Sequence, residues 1–171
     1  MRRLPAFAAF VFFAVSAYCQ VAEFGLRSAS LRQRGVCKTQ SAEFAVDLML
    51  SVSDTLKIVL RNDFATLAKL EFSKSGELLK ASAGAWGSGG NVRDFASDMK
   101  LVLGFYPALP AVVHTVSDAA GNPLKIVDFD GGREIDFSYA PNARAGAVPD
   151  SLEIKSGGCI LKLKTVQILR K

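Results

Sequence analysis

From Ser41 onward every second residue is apolar: in SAEFAVDLML, residues 41–50, Ala42, Phe44, Val46, Leu48 and Leu50 alternate with positions that include Ser41, Glu43 and Asp47. A period of two is the spacing of a β-strand with one dry face, because successive strand side chains point to opposite sides. After the turn-forming SVSD, residues 51–54, TLKIVLR repeats the pattern with Leu56, Ile58 and Leu60 inward against Thr55, Lys57 and Arg61. Two such runs this close predict a hairpin. FATLAKLEFS, residues 64–73, the KSG turn at 74–76 and the returning ELLKAS extend it to four antiparallel strands before residue 83.

The pattern stops at GAWGSGGN, residues 84–91, whose four glycines disfavour regular structure on entropic grounds. Beyond it the period changes. Val92, Phe95, Met99, Val102 and Leu103 fall on one helical face, Asn91 suits the cap, Asp94 the positive first turn and Gly104 the stop. Pro107 and Pro110 predict an extended connector. Strands return in AVVHTVSD, PLKIVDF and REIDFSYA, the last with Ile135, Phe137 and Tyr139 on one side. DSLEIKSGGCILKLKTVQIL, residues 150–169, reads as a hairpin about Ser156 to Gly158, and the shift of apolar parity after Lys164 to Val166 and Ile168 predicts a bulge or the end of a register. The fold class expected is mainly β (α+β): about eight to ten antiparallel strands in a strongly curved half-barrel sheet, with a helix packed on its concave side. Residues 20–40 fit either a short helix or an irregular arm.

At the N-terminus Arg2 and Arg3 precede fifteen uncharged residues, Leu4 to Tyr18. That is the shape of a secretory signal, shorter than the roughly 18 or more apolar residues a spanning helix needs. Ala17 and Cys19 satisfy the small-residue rule for cleavage after Cys19, and Tyr18 is too large for the position before a lipidated cysteine. The expected organisation is a signal peptide, 1–19, followed by one exported domain, 20–171. Loss of Arg2 and Arg3 lowers the formal charge from +5 to +3, and the remaining cations are interspersed, which predicts no nucleic-acid partner. The basic run LRQRGVCK, residues 31–38, reads as a solvated face. Cys37 and Cys159 remain after cleavage, an even pair that in an oxidising compartment forms most simply a disulfide, with two buried free thiols as the alternative.

Catalysis and cofactor chemistry find little footing. His114 is the sole histidine, and Ser117 and Asp118 near it imitate a triad in composition only, since neighbouring strand residues face opposite ways. No nucleophile elbow, zinc helix or phosphate loop is present, and DFDGGREID, residues 128–136, lacks the spaced ligands of a calcium loop and reads as a turn. No enzyme activity, metal or cofactor is expected.

The order of a strand pair, TLKIVLRNDFATLAKLEFSKSGELLKA, the helix VRDFASDMKLVLGF, GNPLKIVDFDGGREIDFSYA and the closing VPDSLEIKSGGCILKLKTVQI resembles the periplasmic LolA/LolB-like lipoprotein-localisation family, most of all its LolB-like branch. The likeness covers residues 40–169. It implies an incomplete β-barrel closed by helices, whose apolar cavity takes up acyl chains of lipoproteins or lipids for delivery to the outer membrane, and hence a periplasmic location with peripheral membrane contact. Two departures stand out: LolB is itself a lipoprotein whereas Tyr18 opposes an anchor here, and the arginine that holds the LolA lid matches no single position in this chain. Candidate cavity-wall residues are Phe44, Val46, Leu48, Leu56, Ile58, Leu60, Leu70, Phe72, Phe137 and Tyr139 from strands, with Phe95 and Met99 from the helix. Inward strand residues serve a filled core and an open cavity equally. Trp86, alone in its glycine-rich loop, is the candidate membrane contact. The rival reading is a secreted, non-catalytic β-rich structural or protein-interaction module.

Overall fold

The computed structural model describes residues 29–84, 92–104 and 113–170. The expected signal peptide with Cys19, and Trp86, Asn91, Pro107 and Pro110, lie outside the described residues. Five strands come first: β1 (Ala29–Lys38), β2 (Glu43–Val52), β3 (Leu56–Arg61), β4 (Thr66–Phe72) and β5 (Leu78–Ala83). The helix α1 (Val92–Val102) follows, then β6 (Val113–Ser117), β7 (Pro123–Asp128), β8 (Arg133–Ser138), β9 (Ser151–Ser156) and β10 (Cys159–Arg170). All ten strands form one open, curved, antiparallel sheet in the order β5-β4-β3-β2-β1-β10-β9-β8-β7-β6, with α1 on its concave side.

Two meanders, β1–β5 and β6–β10, are thus joined in the middle by the first and last strands. Each meander is built from local hairpins, but the β1–β10 seam, from Ala29 opposite Arg170 to Lys38 opposite Ile160, unites the ends of the described chain. The register carries a single apolar face across the sheet. Phe72 lies opposite Leu56, Ile58 opposite Leu50, Leu50 opposite Leu31, Cys37 opposite Leu161, Leu161 opposite Ile154, Ile154 opposite Ile135, and Ile135 opposite Ile126. These side chains and those of α1 form one contiguous core.

Of the segment left open between helix and arm, residues 29–38 form the central strand β1. Its inward positions are Leu31, Gln33, Gly35 and Cys37, so the apolar alternation is broken twice where the strand turns to the core. Gln33 is buried and donates from Nε2 to the Thr165 hydroxyl at 3.0 Å, which in turn donates to the Pro149 carbonyl at 2.7 Å. At Gly35 a Cβ would collide with the Lys162 carbonyl of β10, so only glycine permits this close approach of the two strands. The bulge expected after Lys164 is present. Gln33 pairs with Thr165 while Arg32 pairs with Gln167, which leaves Val166 as the extra residue.

Helix α1 buries Phe95, Met99 and Val102 of the face its spacing predicts, with Val92 half-buried and Leu103 buried just beyond its end; Ala96 and Leu101, outside that face, are buried too, and the helix ends where Gly104 adopts φ +66° and donates to the Leu101 carbonyl. It also buries Asp98, which the periodicity did not mark.

Candidate functional site

Strand direction sorts the molecule into two ends. The β3–β4, β7–β8 and β9–β10 turns share one end with the start of α1, while the β6–β7 turn and residues 139–150 lie at the other. Along the concave face, Val46, Leu48, Leu56, Ile58, Leu60, Leu70, Phe72, Phe95, Met99 and Phe137 are all buried, and Phe44 and Tyr139 are half-buried against them. The structure therefore brings the twelve expected wall residues to one apolar face. Under the C-terminal half of α1, between Leu31, Leu48, Leu50, Met99, Val102 and Leu152, the enclosed space is about 20 Å³. That is room for roughly one water, since a site needs at least about 10–15 Å³ to hold one. Wider space opens beside the β6–β7 turn, where a cleft of about 450 Å³ is lined by Leu124, Phe137 and Tyr139 together with Asp118.

At the opposite end, α1 is held to the sheet by a charge cluster around the buried Asp98. Arg133, at the start of β8, donates from Nε to Asp98 at 2.9 Å and from Nη1 to Asp128 at 3.0 Å, with Asp94 at 3.6 Å from Nη2. One guanidinium serves three carboxylates, so burial outweighs its attraction at Asp98 and pushes that carboxyl up to about 6, against the pull of the Ser156 hydroxyl and Arg133. Nothing in the helical spacing marked Asp98. The sequence signal that could have found it is the excess of acid, Asp94 and Asp98 four residues apart, facing a lone arginine after a glycine turn.

Cys37 and Cys159 sit on the neighbouring strands β1 and β10 with their Sγ atoms 2.9 Å apart and unbonded. The Cys159 contact and burial raise the Cys37 thiol, and the same contact lowers Cys159. On the convex face, Arg32 and Arg34 of the basic run bracket Asp47 together with Arg61, at 2.9 Å for Arg32 Nε, 3.8 Å for Arg34 and 3.3 Å for Arg61. These ties hold Asp47 below the usual carboxylate range, led by the Arg32 hydrogen bond.

His114 is exposed, with its ring edge-on to Phe129 at 5.4 Å, while Asp118 accepts the backbone N–H groups of Ala120 and Asn122 within its own turn. The three triad-like residues do not converge. Asp128 likewise accepts the Gly131 N–H inside the β7–β8 turn. Among the described residues no three His, Cys, Asp or Glu side chains are grouped to hold a metal, and no helix is long and apolar enough to cross a membrane. Among the described residues the most exposed large apolar side chain is Phe64, 95% exposed in the β3–β4 turn, with Phe129, 67% exposed, at the same end.

No protein-family model matches the chain, and no curated protein matches its sequence significantly. Solved structures do resemble it. A LolA superfamily protein from Nitrosomonas europaea is 8% identical, with a TM-score of 0.47 over 92% of this chain and 93% of that one. A DUF1329 family protein from Desulfovibrio piger is 8% identical, with a TM-score of 0.47 over 92% of each chain. A domain from Vibrio parahaemolyticus described as an outer membrane lipoprotein-sorting protein is 10% identical, with a TM-score of 0.42 over 90% of this chain and 92% of that one.

Proposed function

We propose that this protein is an exported carrier or acceptor that holds acyl chains of lipoproteins or lipids against the concave face of its half-barrel, for delivery to the outer membrane, in the manner of the LolB-like branch. The observation that carries the proposal is a mismatch of widths. Ten strands at about 4.8 Å spacing give a sheet roughly 45 Å across, whereas α1 is about 10–12 Å in diameter and, at 11 residues, about 16 Å long. The one described helix spans part of the apolar face that continues from β4 to β7, yet the strand residues of that face are buried, so an acyl chain enters by displacing what covers them. No reactive group is required, because each methylene removed from water contributes about 0.8 kcal/mol. The closed space of about 20 Å³ beneath α1 means that a chain entering there displaces the helix, whereas the cleft at Tyr139 is open as it stands.

That same closed space favours a second reading, a non-catalytic interaction module with a filled core. Organic extraction of protein recovered from its native compartment, followed by mass spectrometry, separates the two. Co-purifying acyl lipid supports the carrier, and its absence together with no acyl binding by the purified protein supports the module. The intact mass of the same sample, before and after thiol blocking, reports on Cys37 and Cys159. We expect an oxidised pair, formed by transfer of two electrons and two protons to a disulfide-bearing oxidant, and two blocked thiols would contradict export to an oxidising compartment. For membrane contact the described residues offer Phe64 in the place expected of Trp86. Phe64→Ala is expected to lower co-sedimentation with phosphatidylethanolamine/phosphatidylglycerol vesicles, and undiminished co-sedimentation would dismiss the contact.

A further inference from the structure

We propose that the cleft at the β6–β7 end of the concave face is a headgroup-proximal subsite for a neutral acyl ester, whose carbonyl oxygen accepts a hydrogen bond from the Tyr139 hydroxyl. The proposal rests on the acyl-carrier reading and names the ligand chemistry of that face. Tyr139 follows Phe137 by two residues, so the rings share the inward side, and they stack with centroids 6.5 Å apart and planes 14° from parallel. The phenolic oxygen is buried, yet among the described residues it finds no hydrogen-bond partner, and it is the one buried side-chain polar atom so placed. Buried polar groups are nearly always paired, and a bare hydroxyl is a cost that a fold retains where something else satisfies it.

The surroundings say what that partner is. The cleft measures about 450 Å³, inside the roughly 300–1,000 Å³ usual for small-ligand sites, and Leu124, 39% exposed on the same face as Ile126, offers apolar wall beside the two rings. Asp118 stands at the edge of the cleft. It is held ionised by the Asn122 side-chain amide and the backbone N–H groups of Asn122 and Ala120. Burial and the Asp118 charge both keep the Tyr139 hydroxyl protonated, and so a donor. A free carboxylate or phosphate in the cleft meets the Asp118 charge, whereas an ester carbonyl accepts the phenolic proton without that repulsion. An aliphatic tail lies on Leu124 at the cleft wall, and a small turn of the Tyr139 ring that uncovers its buried hydroxyl lets the carbonyl reach it.

Monomyristin and myristate carry the same chain on a neutral ester and on a carboxylate, and calorimetric titration of the full chain with each, for wild type and Tyr139→Phe, tests the assignment. Wild type is expected to bind monomyristin at least fivefold more tightly than myristate. Tyr139→Phe is expected to lose about fivefold for monomyristin, to leave myristate unchanged, and to melt without ligand no lower than wild type, since it sheds an unsatisfied hydroxyl. An unchanged monomyristin affinity, or a lower melting temperature of ligand-free Tyr139→Phe, overturns the subsite and leaves the carrier reading intact. Failure of both lipids to bind wild type overturns the carrier reading and the subsite together.

Discussion

Two side chains on the concave side, Asp98 and Arg133, decide how the helix is held. Asp98 is buried against Arg133, which also serves Asp128 and Asp94, and Cys159 lies close enough to feel its charge. Because the folded-state pKa of Asp98 is raised to about 6, the native protein keeps a proton that the unfolded chain releases near pH 4. The contribution of Asp98 to stability is therefore highest in acid, falls as pH rises from about 4 to about 6, and is a standing cost above that. Asp47, Asp118 and Glu134 have lowered values and act in the opposite sense, adding stability at neutral pH that is lost as pH falls through the acid range. Comparison with Asp98→Asn isolates the one group. Urea unfolding at pH 4, 5.5 and 7 should show wild-type stability relative to Asp98→Asn falling by a few kcal/mol across the series. Parallel pH profiles would mean that Asp98 is not the titrating group. Arg133 is a separate matter: its removal leaves the buried Asp98 and the half-buried Asp128 without their cation, and Arg133→Met should cost on the order of 3 kcal/mol in the same measurement.

Among the elements, the seam between β1 and β10 joins the two meanders, and at Gly35 it depends on backbone proximity instead of side-chain bulk. Gly35 pairs with Leu163 and Val46 where a Cβ would meet the Lys162 carbonyl, and the Val166 bulge adds twist two pairs further on. Gly35→Ala should force the strands apart and cost about 3 kcal/mol, the upper part of the range for overpacking. Wild-type stability in that variant would show that the seam tolerates separation. This seam is also where the sequence was least legible. Strands β2 to β4 and β7 to β10 could be read from alternation because their inward residues are Val, Leu, Ile and Phe, and α1 from its Phe95–Met99–Val102 face. In β1 the inward places fall to Gln33 and Gly35, one paired through its amide and the other needed for its lack of a side chain, so periodicity has nothing to register. The wall of the candidate site was readable for the same reason as the strands. Its polar features, Asp98 and the orphaned Tyr139 hydroxyl, arise from packing between elements distant in the chain, which no local pattern encodes.

For the whole molecule, a sheet of ten strands whose apolar face outspans its one described helix is the feature on which the functional account turns. The convex face is covered with ion pairs such as Lys155–Glu134 and Lys162–Glu153, all on exposed or half-exposed side chains and each worth little to stability. Their role is to keep that side wet, which leaves the concave side as the surface suited to oil. The most direct measurement is a fluorescence-displacement titration of purified, delipidated protein with monoacylglycerols of eight, ten, twelve and fourteen carbons. The account predicts saturable binding at one site, with affinity rising about tenfold for each added pair of methylenes until the concave face is filled. Absence of saturable binding at every chain length, from a folded protein, would contradict it.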